Sequence, residues 1–172
     1  MTDKSVSVER VQTSQDIEDF IRFPFKLYQG DPNWIPPLLS ERREFLDPKH
    51  NPFFDHADAA LWLARRNGQV VGTISSHVDH LHNEIHDEKI GMFGFFETVD
   101  DYAVAEALFS TARDWVRDQG MAALRGPLSF SQNHECGLLV DGVDGPPVIL
   151  MTYNPRYYIA VSYTHLRAHE TT

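Results

Sequence analysis

The feature that most constrains the fold is a β-hairpin signal in the middle of the chain, ALWLARRNGQVVGTISSHVD. Asn67 and Gly68 supply the positive φ angles of a tight type I′ turn, which predicts flanking strands at residues 60–65 and 69–78. A further strand is predicted at residues 89–97, KIGMFGFFE, because its nearly continuous apolar run is typical of a strand covered on both faces. The hairpin and this strand predict the centre of a sheet.

The elements predicted before the hairpin are a short strand, a helix and a loop that carries a second short helix. The strand is marked by Val6, Val8 and Val11. The first helix begins near Thr13 or Ser14, which are good N-cap residues. Pro24 is expected to end or kink this helix, because a proline ring clashes with the preceding turn. The second helix is predicted near residues 38–45.

The elements predicted after the hairpin alternate between helix and strand. Residues 80–88 form a polar loop, and residues 100–120 form the strongest helix, with one apolar stripe along it. Residues 122–130 are predicted as another strand, and YNPRYY at residues 153–158 as a helix start. This order predicts an α/β (α+β) domain, with a mixed, largely antiparallel sheet flanked by helices.

Composition narrows the function classes. The formal charge of −10 argues against nucleic acid or an anionic membrane as the main partner. The single cysteine, Cys136, rules out an intrachain disulfide, indicates a reducing compartment and is expected to be buried as a small hydrophobic residue. No secretory signal or membrane-spanning run is visible, which favours the cytoplasm. The histidines at 77, 80, 82 and 86 lack metal-site spacing, so no metal is expected.

Five stretches together resemble a poorly characterised bacterial family of GNAT-like N-acyltransferases. They are LYQGDPNWIPPL, NPFF, HNEIHDEKIGMFGFFETVDD, LRGPLSFSQNHECGLLVDG and MTYNPRYY. The resemblance implies a GNAT-like fold and transfer of an acyl group, such as acetyl, from acyl-CoA to a small-molecule or peptide amine. Members of that family are longer, so the resemblance also implies that residues 1–160 are the N-terminal part of the domain, truncated before its last helix and strands.

The resemblance places the acyl-CoA donor in a gap between the strands at residues 91–97 and 122–130. Phe95, Phe96 and Thr98 would contact it there, and the next helix N-terminus would hold its pyrophosphate. The matching stretch, ETVDDYAVAEAL, contains neither glycine nor a cation, and two carboxylates at this position repel a diphosphate. Two alternatives therefore stay open: an enzyme that holds its donor differently, and a non-catalytic binding domain on a GNAT scaffold.

Two glutamates and a tyrosine are the candidate catalytic residues. Glu97 would act as a general base whose pKa is raised by the adjacent phenylalanines, or it would only begin the acidic cap of the next helix. Glu135, or His134 beside it, would be the base in the alternative assignment, unless this loop only satisfies its own turn backbone. The resemblance implies a tyrosine that protonates the departing thiolate, and we assign this role to Tyr157 among the three tyrosines of TYNPRYY.

Three polar residues are predicted to bind the acceptor amine. Asn83 and His86 lie in HNEIH, a polar stretch that leads into the proposed donor strand, and Asn133 would orient the substrate beside Glu135. The alternative for the first two is an ordinary solvated loop.

The last twelve residues, VSYTHLRAHETT, share nothing with the text before them. When residues 161–171 are reverse-translated, the codons resemble a transposon-end adapter used to prepare sequencing libraries. We therefore expect residues 161–172 to be non-native, and we expect the chain as it stands to be marginally folded and inactive.

Overall fold

The computed structural model describes residues 5–142, 144–149 and 151–161, so nearly all of the predicted non-native tail lies outside the described residues. Its centre is a sheet of five strands in sequential order. They are β1 (Ser7–Arg10), β2 (Ala57–Arg66), β3 (Gln69–Asp79), β4 (Ile90–Thr98) and β5 (Ala123–Arg125). The first four are antiparallel and β5 runs parallel to β4, which confirms the predicted mixed, largely antiparallel sheet.

Helices cover both faces of this sheet. They are α1 (Ser14–Leu27), α2 (Leu39–Phe45), α3 (His80–His86) and α4 (Tyr102–Asp118), with a 3-10 turn at Pro52–Asp55. The helical residues 157–161 are called the C-terminal turn below. The predicted hairpin is confirmed, since Asn67 and Gly68 have φ angles of 51° and 74°.

Helix α1 continues past the point at which we expected it to end. Pro24 lies inside it, and the carbonyl of Pro24 accepts a hydrogen bond of 2.9 Å from the amide of Tyr28. The prediction that Pro24 ends the helix is therefore wrong. Burial of Phe20, Ile21 and Phe23 against the sheet outweighs the backbone hydrogen bond that a proline removes.

Two other predicted elements differ from the structure. The polar loop at residues 80–88 contains α3, because the Asp79 carboxylate caps a helix by accepting a hydrogen bond of 3.0 Å from the amide of His82. The strand expected at residues 122–130 ends at Arg125, and proline at position 127 has no amide to continue a ladder. Beyond it, the amide of Leu128 returns to β4 and donates a 2.7 Å hydrogen bond to the carbonyl of Phe93.

Helix α4 packs on one face of the sheet through an apolar stripe. Val104, Leu108, Ala112 and Val116 are buried there, as its sequence pattern predicts. Gly91 of β4 permits the close approach, because a β-carbon at this position would lie 2.4 Å from a methyl group of Val116. On this side of the sheet, the buried side chains that the helix contributes are all apolar.

A β-bulge in β4 changes which face its side chains point to. Up to Phe93, odd-numbered residues face α4, and the Phe93 ring lies 5.2 Å from that of Phe109. The β3–β4 register shifts between Thr73 and Ser75, and Phe95 takes a φ of 46°. After the shift Phe96 faces α4, while Phe95 and Glu97 point to the opposite face. The bulge thereby delivers the carboxylate of Glu97 to the face covered by α1 and α2.

Candidate functional site

A cavity of about 190 Å³ lies between β4, α1, α2 and the segment after β5. Its walls are largely apolar and include Phe20, Trp34 and Phe95. The ionisable side chains among its lining residues include Glu97 on the sheet and the pair Arg42 and Glu135. An apolar cavity with a few converging polar groups is the usual form of a small-molecule site.

Glu97 accepts hydrogen bonds from two tyrosines on its Oε2 atom. The hydroxyl of Tyr158 donates at 2.6 Å and that of Tyr28 at 2.8 Å. Burial raises the pKa of Glu97 to about 7, and the hydrogen bonds from Tyr158 and Tyr28 act in the opposite direction. A carboxyl with this pKa exchanges its proton near neutral pH, which suits it to general acid–base work.

The two tyrosines reach Glu97 from different parts of the chain. Tyr28 caps the C-terminal end of α1, and its ring stacks on Trp34 with centroids 5.0 Å apart. Tyr158 comes from the C-terminal turn, where its hydroxyl also accepts a 2.7 Å hydrogen bond from the amide of Thr98 at the edge of β4. Burial raises the pKa of both phenols above their usual range, so both remain hydrogen-bond donors at neutral pH.

Arg42 and Glu135 form an ion pair beside Glu97. The Arg42 guanidinium contacts the Glu135 carboxylate and lies 5.9 Å from the centroid of the Phe95 ring. The side chain of Arg42 is only 18% exposed, whereas that of Glu135 is 44% exposed. This pair places one cation and a second carboxylate at the cavity wall.

The structure brings four of the predicted site residues together. Phe95, Phe96, Glu97 and Glu135 all line the cavity. Thr98 is fully buried, and its backbone carbonyl accepts a 2.6 Å hydrogen bond from the hydroxyl of Tyr157.

Tyr157 itself is not among the residues that line the cavity, whereas Tyr158 is. Of these two adjacent tyrosines, Tyr158 is therefore the one at the cavity wall.

The three residues predicted to bind the acceptor lie outside the cavity lining. The Asn83 side chain donates a 2.9 Å hydrogen bond to the carbonyl of Ile90, at the far end of β4. His86 is exposed on α3, and Asn133 is exposed in the loop before Glu135. Cys136 is also exposed, so the expectation that it is buried is wrong: the loop that carries it lies on the surface.

Sequence reasoning missed Tyr28 and Arg42, and it assigned the role of the tyrosine to Tyr157, whereas the neighbouring Tyr158 lines the cavity. Tyr28 and Glu97 are 69 positions apart, and no local pattern links a tyrosine at a helix end to a glutamate in a strand. Arg42 lies in a short helix whose charged sequence, LSERREF, is that of an ordinary surface helix. The one available signal was Tyr28 itself, a tyrosine next to an apolar helix face.

The place where a GNAT fold would hold the diphosphate of acyl-CoA does not fit that group here. Asp101 caps α4, and its carboxylate accepts a 2.9 Å hydrogen bond from the amide of Ala103. Arg66 pairs with the same carboxylate at 2.8 Å. The amide and the cation that would attract a phosphate are therefore both engaged by the protein's own carboxylate.

The edge of β4 is also covered by the chain itself. The Ser129 hydroxyl accepts a 3.4 Å hydrogen bond from the amide of Phe95, and the Tyr158 hydroxyl accepts one from the amide of Thr98. These two backbone amides, at the edge where the resemblance places the donor, are therefore bound by the protein's own hydroxyl groups.

Residues 5–142, 144–149 and 151–161 contain no group of three or more His, Cys, Asp or Glu side chains placed to hold a metal ion. Within the same ranges, no helix has the length and apolar character needed to cross a bilayer.

Two curated proteins are similar to the chain in sequence. It is 45% identical over 157 residues to a protein of Caulobacter vibrioides named bacterial ceramide synthase, covering 91% of the chain and 41% of that protein. It is 43% identical over 145 residues to protein YghO of Escherichia coli, covering 84% of the chain and 37% of that protein. The chain thus spans about two fifths of the length of these relatives. No protein-family profile matches it.

Solved acetyltransferases share the fold at low sequence identity. A tandem GNAT protein from the clavulanic acid biosynthesis pathway superposes with a TM-score of 0.56 at 14% identity, covering 70% of the chain and 35% of that protein. The described residues therefore have the mixed α/β fold of the GNAT acetyltransferases.

Proposed function

We propose that the protein is an N-acyltransferase that forms an amide between an acyl group and a primary amine, with Glu97 as the general base. The observation that carries this proposal is the cavity-lining carboxyl of Glu97, whose pKa burial raises to about 7. An amine is mostly protonated at neutral pH and must lose a proton before it can attack a carbonyl carbon. Glu97 is placed to accept that proton.

We propose a long-chain amine as the acceptor. A ceramide is the amide of a fatty acid with a long-chain amine, and the bacterial ceramide synthase of Caulobacter is 45% identical to the chain. The cavity supports the same class, because its lining includes Ile35 and Met151, which are 60% and 55% exposed. Exposed apolar side chains at a site favour an alkyl chain over a sugar.

We propose an acyl thioester as the donor class, so that the reaction exchanges a thioester C–S bond for an amide C–N bond. The capped N-terminus of α4 argues against a diphosphate held there, and so we assign no residue to the nucleotide part of acyl-CoA. The chain's own contribution is to bind the amine in an apolar cavity, to remove its proton and to exclude water.

The replacement of Glu97 by glutamine tests the proposal. The assay uses the product of the source gene with its natural continuation, an acyl thioester and a long-chain primary amine. E97Q is expected to lower kcat/KM by about 10²–10⁴-fold, the usual contribution of a positioned base. The matched control is E106Q, which removes an exposed carboxylate on α4, away from the cavity. E97Q activity equal to that of E106Q would refute the role of Glu97.

The second candidate is a non-catalytic binding domain. The observation that favours it is the N-terminus of α4, where Asp101 caps the helix and pairs with Arg66. A binding domain would take up the long-chain amine, as seen by calorimetry, without forming an amide in the presence of any acyl thioester. Amide formation that depends on Glu97 would exclude this candidate.

A further inference from the structure

The ring of Tyr28 is held in place by packing, independently of its hydroxyl group. Its side chain is 4% exposed, its ring stacks on Trp34 at an interplanar angle of 19°, and the ring of Tyr153 meets it edge-on at 5.6 Å. Its position depends on α1 extending through Pro24, since the Tyr28 amide bonds to the Pro24 carbonyl. A ring confined in this way delivers its hydroxyl to a fixed point.

That fixed point is one oxygen of the Glu97 carboxylate. Oε2 accepts both the Tyr28 and the Tyr158 hydroxyl, at 2.8 Å and 2.6 Å. Within the described part of the chain, both hydrogen bonds to the Glu97 carboxylate end on Oε2. Two donors on one oxygen fix the rotation of the carboxylate and leave the lone pairs of the other oxygen available.

We propose that Tyr28 is a positioning residue, whose hydroxyl holds Oε2 of Glu97 so that Oε1 receives the proton of the acceptor ammonium. This inference rests on the proposed function, in which Glu97 is the base. It adds that the two carboxylate oxygens have different roles, and that Tyr28, at the end of α1, fixes which oxygen receives the proton. Tyr28 acts only through Glu97 and is not itself a catalytic residue.

The direction of the effect on the pKa of Glu97 follows from the charges that face this residue. Tyr28 at the end of α1 and Tyr158 of the C-terminal turn donate to the carboxylate and favour its ionised form. Arg42 of α2 favours the ionised form, and Glu135 opposes it. Tyr157 also interacts with Glu97, and it stays protonated because burial raises its pKa. Loss of the Tyr28 hydroxyl must therefore raise the pKa of Glu97.

The test is Tyr28→Phe in the gene product with its natural continuation, with two independent readouts. Phenylalanine keeps the ring on Trp34 and removes only the hydroxyl, and thermal melting checks that the fold is kept. Carbon-13 NMR of the glutamate carboxyl groups, assigned by comparison with E97Q, should show the pKa of Glu97 raised by about one to two units, the size expected when a carboxylate loses one hydrogen bond. The acidic limb of the pH profile of kcat/KM should move by the same amount.

The matched control is Tyr153→Phe. Tyr153 packs on the same aromatic cluster, but its hydroxyl donates to Asp31 at 2.6 Å. Y153F should therefore leave the pKa of Glu97 and the acidic limb in place. If Y28F does not fold, fluorotyrosine at position 28 replaces it: a more acidic phenol is a stronger donor, and the pKa of Glu97 should fall.

The outcomes separate the two proposals. An active Y28F protein whose Glu97 pKa and acidic limb match those of Y153F overturns the role of Tyr28 and leaves the role of Glu97 intact. A protein with natural continuation that forms no amide, or an active E97Q variant, overturns the proposed function, whatever the carboxyl titration gives. Parallel shifts in both readouts, confined to Y28F, support the positioning role.

Discussion

The two faces of the sheet bury different kinds of side chain. On the face covered by α4, the buried helix residues are apolar, and Val104, Leu108 and Ala112 have no exposed surface. On the face covered by α1 and α2, buried side chains include the polar Thr73 and His77, and Glu97 lines the cavity. The α4 face buries hydrocarbon together with the hydrogen-bonded hydroxyls of Ser76 and Thr98, whereas the other face also buries ionisable groups that water would hold better.

The difference teaches where to look for function. Groups that lower stability persist where they serve another purpose, so the face that contradicts the rules of core packing is the one to examine for chemistry. The α4 face should respond to mutation like any hydrocarbon core. The cavity face should contain positions at which a substitution stabilises the protein, and the following predictions test this contrast.

The largest effect is expected on the α4 face. Leu108→Ala removes a fully buried side chain from a packed stripe and should lower the free energy of unfolding by about 3–4 kcal/mol. Urea denaturation followed by circular dichroism measures it. Glu106→Ala on the exposed side of the same helix should change stability by less than about 0.5 kcal/mol. Equal losses in the two variants would mean that this face is not a packed core.

Glu97→Gln is expected to have the opposite sign. Burial raises the pKa of Glu97 from 4.5 to about 7, so the folded state loses stability as pH rises through this window. E97Q removes that cost and should stabilise the protein by about 2–3 kcal/mol at pH 8, with little gain at pH 4. Urea denaturation at the two pH values measures this. A destabilised E97Q at pH 8 would show that the carboxylate is well paired and would remove the contrast between the faces.

His77→Phe should produce the smallest effect. Neither ring nitrogen of His77 has a hydrogen-bond partner among the described residues, and the ring packs at nearly right angles to both Phe53 and Phe130. Burial lowers its pKa to about 3, so the unfolded state binds the extra proton and wild-type stability falls as pH drops below 6.5. H77F should remove about 1–2 kcal/mol of the loss between pH 8 and pH 5.

The control for this variant is His86→Phe, which changes an exposed histidine on α3. Melting temperatures at pH 8 and pH 5 are sufficient as the measurement. If H77F retains the acid sensitivity of the wild type, the buried ring is not its source.

The elements that could be predicted from the sequence are those with local signals. The hairpin, β4 and α4 could be predicted because turn residues, apolar runs and a helical stripe are local signals. The end of α1 and the loop at residues 80–88 were predicted wrongly because the deciding interactions are not local: the burial of α1 on the sheet, and one aspartate cap that converts a polar stretch into a helix.

The site was predictable only where a single residue carried the signal. Glu97 stood out as a carboxylate at the end of an aromatic strand, and Glu135 as an acid in a polar loop. Their partners could not be found in this way, because Tyr28, Arg42 and Tyr158 meet them only after α1, α2 and the C-terminal turn have packed. The pairing of this carboxyl with the groups that tune its pKa is a property of tertiary structure.

The bulge at Phe95 affects how related sequences are aligned with β4 and what a deletion in this strand would do. Side chains alternate along a strand with a period of two, and the extra residue advances the phase of the last part of β4 by one step. Deletion of Phe95 alone would remove the bulge and leave Glu97 on the cavity side, whereas a regular strand that kept all of its residues would aim the carboxylate of Glu97 into the hydrocarbon beneath α4. In such a regular strand every amino acid of the site would still be present, yet the proposed base and its acceptor would lie on opposite sides of the sheet.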